Sequence, residues 1–123
     1  DNALSISNTM TLTTAGTETG LTETTGLARK KIASSSLADL ITVANTDVTA
    51  AKSAKVYIKN TSTATDKYGL VGIGDSSGTP IYIGRLYGGD WMLIPWDANS
   101  GEDITMTMND ATATIIEYMV FFE

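Results

Sequence analysis

The stretch Ala54-Lys55-Val56-Tyr57-Ile58-Lys59-Asn60 decides the fold: polar and apolar positions alternate, and Val56 and Ile58 share one phase. Successive side chains on a β-strand point to opposite faces, so this spacing predicts a strand with one face in a core. Outward toward the C-terminus the same grammar repeats. Tyr68 to Gly74 reads as a short strand whose three glycines imply a bulge or a close backbone approach. Asp75-Ser76-Ser77-Gly78-Thr79 is a turn, and Ile81 to Leu86 is a strand opened by Pro80. Tyr87-Gly88-Gly89-Asp90 then predicts a hairpin into Trp91-Met92-Leu93-Ile94-Pro95-Trp96. Ile104, Met106 and Met108 alternate with Thr105 and Thr107 in a half-buried strand, and Asn109-Asp110 turns the chain into a last strand over residues 112–122.

That last strand carries Ile116, Tyr118, Val120 and Phe122 in one phase and Ala111, Ala113 and Ile115 in the other, with Glu117 interrupting. A strand apolar on both faces is central or covered on both sides. Two readings follow: a central sandwich strand ending in the core, or an oligomer or docking face.

Before residue 54 the pattern is sparser. Leu4, Ile6, Met10 and Leu12 are spaced by even numbers, which fits extended chain. Thr-Gly-Leu occurs twice, at residues 19–21 and 25–27, too few copies for a solenoid. Residues 13–27 are mostly Thr, Gly and Glu and have too little apolar surface to fold alone. Asp39 to Val43 predicts a strand, and Ile32 closes another. The whole reads as an all-β chain, an antiparallel β-sandwich of jelly-roll type over residues 28–123, preceded by an extended N-terminal arm over residues 1–27.

Composition supports strands and narrows function. Thr makes up roughly one residue in six, and its branched Cβ favours sheet over helix. A hydrophobic fraction of 42% in 123 residues is enough for one core. No apolar run approaches the ~20 residues of a membrane-spanning helix, so no membrane partner is expected. No leader is read from a sequence that opens at Asp1, whether one was removed or the chain begins inside a longer gene. The chain has neither His nor Cys. Imidazole acid–base chemistry, the Ser-His triad, thiol chemistry and the common zinc sites each lose a required residue. A two-carboxylate mechanism stays open in principle, but no phosphate loop, nucleophile elbow or dinucleotide fingerprint is present. The expectation is a non-enzyme without cofactor. A net charge of −6 repels phosphate backbones, so nucleic acid is not expected as a partner.

Three clusters invite a ligand. Asp97, Asn99, Glu102 and Asp103 are rich in oxygen, yet their spacing departs from a calcium loop and a polar turn explains them equally. Trp91 and Trp96, with Tyr82 and Tyr87 nearby, read as cover for the rim of the core, as a sugar-stacking platform, or as interface aromatics. The two Trp residues fall in opposite phases, however, so they share no flat platform without a bulge at Pro95. Arg29-Lys30-Lys31 reads either as a charge-guarded edge strand or as the basic half of a subunit contact. With Leu21 and Leu27 these three cations form the expected partner-contact set.

The stretch Ala54 to Asn60, then Ile83-Gly-Arg-Leu-Tyr-Gly-Gly-Asp-Trp-Met-Leu-Ile-Pro-Trp96, then Ile116-Glu-Tyr-Met-Val-Phe-Phe122, resembles small virion structural proteins of tailed bacteriophages. The resemblance covers roughly residues 54–123 and consists of strand-and-turn patterns. It implies a capsid decoration (cement) protein on the virion surface, binding the major capsid protein or other virion subunits as a homo-oligomer or in symmetric copies. A carbohydrate- or receptor-binding sandwich on a tail fibre or a secreted enzyme, or another head or tail subunit, is the alternative.

Overall fold

In a computed structural model, residues 23–34, 37–46 and 54–122 are described. The chain forms two antiparallel sheets packed face to face, a β-sandwich as the alternation predicts. The strands are β1 (Glu23–Thr24), β2 (Ala28–Ile32), β3 (Ala38–Ile41), β4 (Ala54–Asn60), β5 (Tyr68–Ile73), β6 (Ile81–Tyr87), β7 (Trp91–Pro95), β8 (Ile104–Met108) and β9 (Thr114–Phe122). One sheet runs β1-β9-β4-β7, with β2 continuing the β1 edge along β9; the other runs β3-β8-β5-β6. The described part of the sandwich therefore starts at Glu23, inside the stretch expected as arm. Residues 1–22, with Leu21 and the Leu4-to-Leu12 alternation, lie outside the described residues.

Each sheet turns one phase inward. Val56 and Ile58 of β4 and Ile116 and Val120 of β9 meet Val71 of β5 and Ile104 and Met106 of β8, all essentially inaccessible to solvent. Burying each such side chain contributes about 1.5–3 kcal/mol, and this layer is what holds the sheets together. The glycines of β5 serve close approach, as their position in a strand implies. A side chain at Gly72 would meet the Thr105 hydroxyl at 2.9 Å and the Tyr82 ring at 3.1 Å, and the β5–β6 register shifts beside it.

Two expectations need correction. Gly88 and Gly89 do not close a hairpin. β6 pairs with β5, and β7 pairs with β4 in the opposite sheet, so residues 88–90 arch over the end of the sandwich. The stretch expected as a strand from Asp39 to Val43 leaves its sheet after Ile41 and turns through a short 3-10 segment, Val43–Asn45. There the Asp103 carboxylate accepts the Val43 N–H at 2.7 Å, fixing the exit.

The arch is fastened by one side chain. Asn60, at the end of β4, is fully buried. Its amide donates to the carbonyls of Lys67 (3.1 Å) and Leu86 (3.0 Å), and its side-chain oxygen accepts the Ser62 N–H (3.0 Å). Its backbone N–H and carbonyl meet Asp90 and Gly89 of the arch. Gly88 then lies against the 61–67 loop so closely that a Cβ would sit 2.2 Å from the Ala64 carbonyl oxygen. A buried polar group left without its partner costs about 1–3 kcal/mol. Asn60→Ala, which strands two carbonyls and one N–H, is expected to lower unfolding free energy by about 3 kcal/mol and the midpoint by roughly 10 °C. Chemical denaturation checks this, and a loss below about 0.5 kcal/mol contradicts it.

Candidate binding face

β9 is central, as one reading of its sequence holds, but among the described residues only its inner phase is covered. Ile115, Glu117, Met119 and Phe121 look outward. The register then builds the outer face row by row. Trp91, Lys59, Glu117 and Arg29 lie side by side across four strands; Leu93, Tyr57 and Met119 form the next row; Pro95, Lys55 and Phe121 the one after. Lys31 opposite Ile115 completes the other end.

This face concentrates charge of one sign. Arg29, Lys31, Lys55 and Lys59 are four of the chain's eight cations, and among the described residues Glu117 is the single carboxylate between them, in a protein of net charge −6. Glu117 is committed internally. One carboxylate oxygen accepts from the Arg29 Nε and Nη2, each at 3.2 Å, and the other accepts the Tyr57 hydroxyl at 3.4 Å. An exposed ion pair of this kind contributes little to stability, about 0–1 kcal/mol, but it fixes where the guanidinium sits. Partial burial, together with the nearby Glu117 charge and hydrogen bond, raises the Tyr57 pKa above its ordinary value. Between the cations lie half-buried apolar side chains and one exposed aromatic. Trp91 is 62% exposed, with its ring centroid 6.4 Å from that of Tyr57 at 39°.

Of the residues expected in a partner contact, the structure brings Arg29, Lys31 and Trp91 to this one face. Lys30 takes the inner phase, where its ammonium donates to the Asp39 carbonyl and bridges the two sheets at their edge. Leu27 is exposed in the bend between β1 and β2. Trp96 is 4% exposed and donates its indole N–H to the Glu102 carbonyl at 2.7 Å, so the pair of Trp residues forms no platform. The oxygen-rich loop spends Asp103 on Val43, and among the described residues no group of three or more carboxylates is placed to hold a metal. Lys55, Tyr57, Lys59, Met119 and Phe121 were not singled out from sequence. Their signal was the non-core phase of the very alternation that marks β4 and β9. Comparison with known proteins finds no matching family model, no matching curated protein and no matching solved structure.

The Glu117 arrangement makes a spectroscopic prediction. Glu117→Gln removes the charge and weakens the hydrogen bond that hold the Tyr57 phenol neutral, so the Tyr57 pKa is expected to fall. The Tyr Cζ resonance followed through an alkaline titration reads this, and an unchanged or higher value contradicts the contact.

Proposed function

We propose that this chain is a non-catalytic virion structural protein, a capsid decoration (cement) protein that docks on the outer surface of the major capsid protein and stabilises the shell. The observation that carries the reading is the outer face of the β1/β2-β9-β4-β7 sheet: four cations and a row of apolar and aromatic side chains around one internally committed carboxylate. A surface of that make-up is complementary to an acidic surface with apolar patches, and charge segregation on an acidic protein steers that face toward it. The strand order supports the reading at the level of fold. Strands alternate between the sheets in the sequence β2, β3, β4, β5, then β6, β7, β8, β9, giving rows β2-β9-β4-β7 and β3-β8-β5-β6, the winding we read as a jelly roll. Capsid and lectin domains share that architecture, and the fold alone does not choose between them.

Magnitude supports symmetric copies. Four strand positions about 4.8 Å apart, with strands of about six to seven residues, present a footprint of roughly 400 Å². A stable interface buries about 800 Å² on each partner. One face therefore supplies about half of what is needed, and a homo-oligomer engaging several sites at once makes up the difference by avidity.

A carbohydrate-binding module is the second reading, favoured by exposed Trp91 beside Tyr57. The buried Trp96 weighs against a two-Trp platform.

The test is particle binding by Lys55→Glu/Lys59→Glu. Both side chains are half-buried at the surface, so folding and the circular-dichroism spectrum are expected to hold. Co-sedimentation with shells is expected to fall at least tenfold, and wild-type binding to weaken as salt rises. Binding unchanged by the reversals contradicts the reading. A glycan titration that quenches Trp91 fluorescence, with shell binding absent, selects the second one.

A further inference from the structure

The edge formed by β6 is lightly charged and largely exposed. It pairs with β5, and among the described residues no strand pairs with its other side. Six of its seven residues are exposed, including Ile81 at 75%, Tyr82, Ile83 and Tyr87, and Arg85 is its one charge. Natural sheets blunt such edges with charges, Pro, bulges or a covering segment; β6 carries Arg85 and the register shift with β5, with Pro80 just before it.

Behind this edge the sandwich stands open. Because residues 88–90 arch between sheets, β6 and β7 run, among the described residues, as two unpaired edges facing one gap. The gap is a groove of about 510 Å³ lined by Val71, Ile73, Ile83, Leu86, Met92 and Ile94. One large aliphatic side chain removed from a core leaves a void of about 150 Å³, so this groove has room for about three. Gly84 points the same way. It sits opposite core-facing Val71, yet a Cβ there would meet nothing within 4 Å. Neither packing among the described residues nor a left-handed backbone calls for glycine at this position. A glycine inside a strand marks either a bulge, and the β5–β6 register shift lies beside it, or a place where another backbone comes close.

The complementary segment is in the same sequence. Leu4, Ile6, Met10 and Leu12 occupy one phase, broken at Asn8, and Ser5, Ser7, Thr9 and Thr11 the other. A strand over residues 4–12 spans about 30 Å, against about 23 Å for β6. Its apolar phase supplies the side chains the groove lacks, and its Ser/Thr phase suits the solvent side. β1 lies at the sheet edge farthest from β7, so Glu23, the first described residue, sits at the edge away from the groove. Residues 13–22 reach about 33 Å when extended, enough to pass to a neighbour set edge to edge.

We propose that residues 4–12 of a second copy of this chain add as a strand to β6 and fill the groove between β6 and β7, linking copies head to tail. Such a contact is heterologous, and it closes into a ring when the rotation between copies allows. The ladder's main-chain bonds give affinity and the alternate side chains give register. The inference rests on the assembly reading above and names what the arm grips. It is tested without any shell, so the two fail separately.

The absence of Cys makes the experiment clean. Full-length chains carrying Ser5→Cys, Ser7→Cys or Thr9→Cys are mixed in equal amounts with chains carrying Tyr82→Cys or Arg85→Cys, then oxidised, and the products are identified by mass. Tyr82 and Arg85 lie on the solvent side of β6, the phase that the Ser and Thr residues share. The expected result is a disulfide-linked heterodimer at one register, with at least tenfold less product when the acceptor is Thr112→Cys, far from the groove, or when the arm also carries Ile6→Asp/Met10→Asp. No heterodimer at any register at the highest soluble concentration overturns the proposal. So does equal linking to Thr112→Cys. A Ser7→Cys/Tyr82→Cys chain that links only within itself also overturns it, since the arm then serves its own groove.

Discussion

The side chain of Asn60 is the constraint on which the rest of the molecule depends. A sandwich needs its two sheets joined by chain that leaves one and enters the other, and every such crossing strands backbone groups that no ladder can satisfy. At the end of β4 one buried carboxamide takes up that task, holding the Lys67 and Leu86 carbonyls and the Ser62 N–H, while its own backbone bonds to the arch at Gly89 and Asp90. Hydrophobic burial would press any two apolar faces together, but it is non-directional. The carboxamide selects the particular crossing in which β6 and β7 separate into different sheets.

From that crossing the exposed features follow. Because β7 joins β4 and does not pair with β6, Trp91 is delivered to the outer face beside Lys59 and Tyr57. The same separation leaves the gap between β6 and β7 with edges on both sides. The acidic character of the chain as a whole conceals a cationic face because Asp75, Asp90, Asp103 and Asp110 sit in turns and loops, where they accept backbone N–H groups. Asp75 accepts the Ser77 N–H at 2.7 Å, and Asp110 accepts the Thr112 N–H at 2.6 Å and pairs with Lys67 at 2.9 Å. Both carboxyl groups are held below their ordinary range, Asp75 by its bonds to Ser77 and Asp110 first by Lys67. Net charge thus says little about the face a partner meets.

How much of this was legible in the sequence depended on range. β4 and β8 could be read almost to the residue, because alternation is a local signal and both strands have one clean apolar phase. The opposite phases of Trp91 and Trp96 were legible too. Which of them turned inward was not, since that rests on Glu102 offering a carbonyl to the indole of Trp96. The arch at Gly88-Gly89 was misread because two strands around a glycine turn look alike whether they pair or part; the difference lies in Asn60, nearly thirty residues earlier. The cationic face was half visible. Arg29 and Lys31 stood out as a run, but Lys55 and Lys59 join them only through β9, whose register with β2 and β4 no local pattern encodes.

The most direct test is native-state hydrogen exchange on the intact chain, read at the amides of Asn60, Ser62 and Gly89. If the carboxamide corner holds the sheets in this crossing, those three exchange only through global opening, in the same slow class as the Ile58 and Val120 amides. Exchange of the three at loop rates, while Ile58 and Val120 stay protected, would show that the sheets hold together without the corner and would contradict the account.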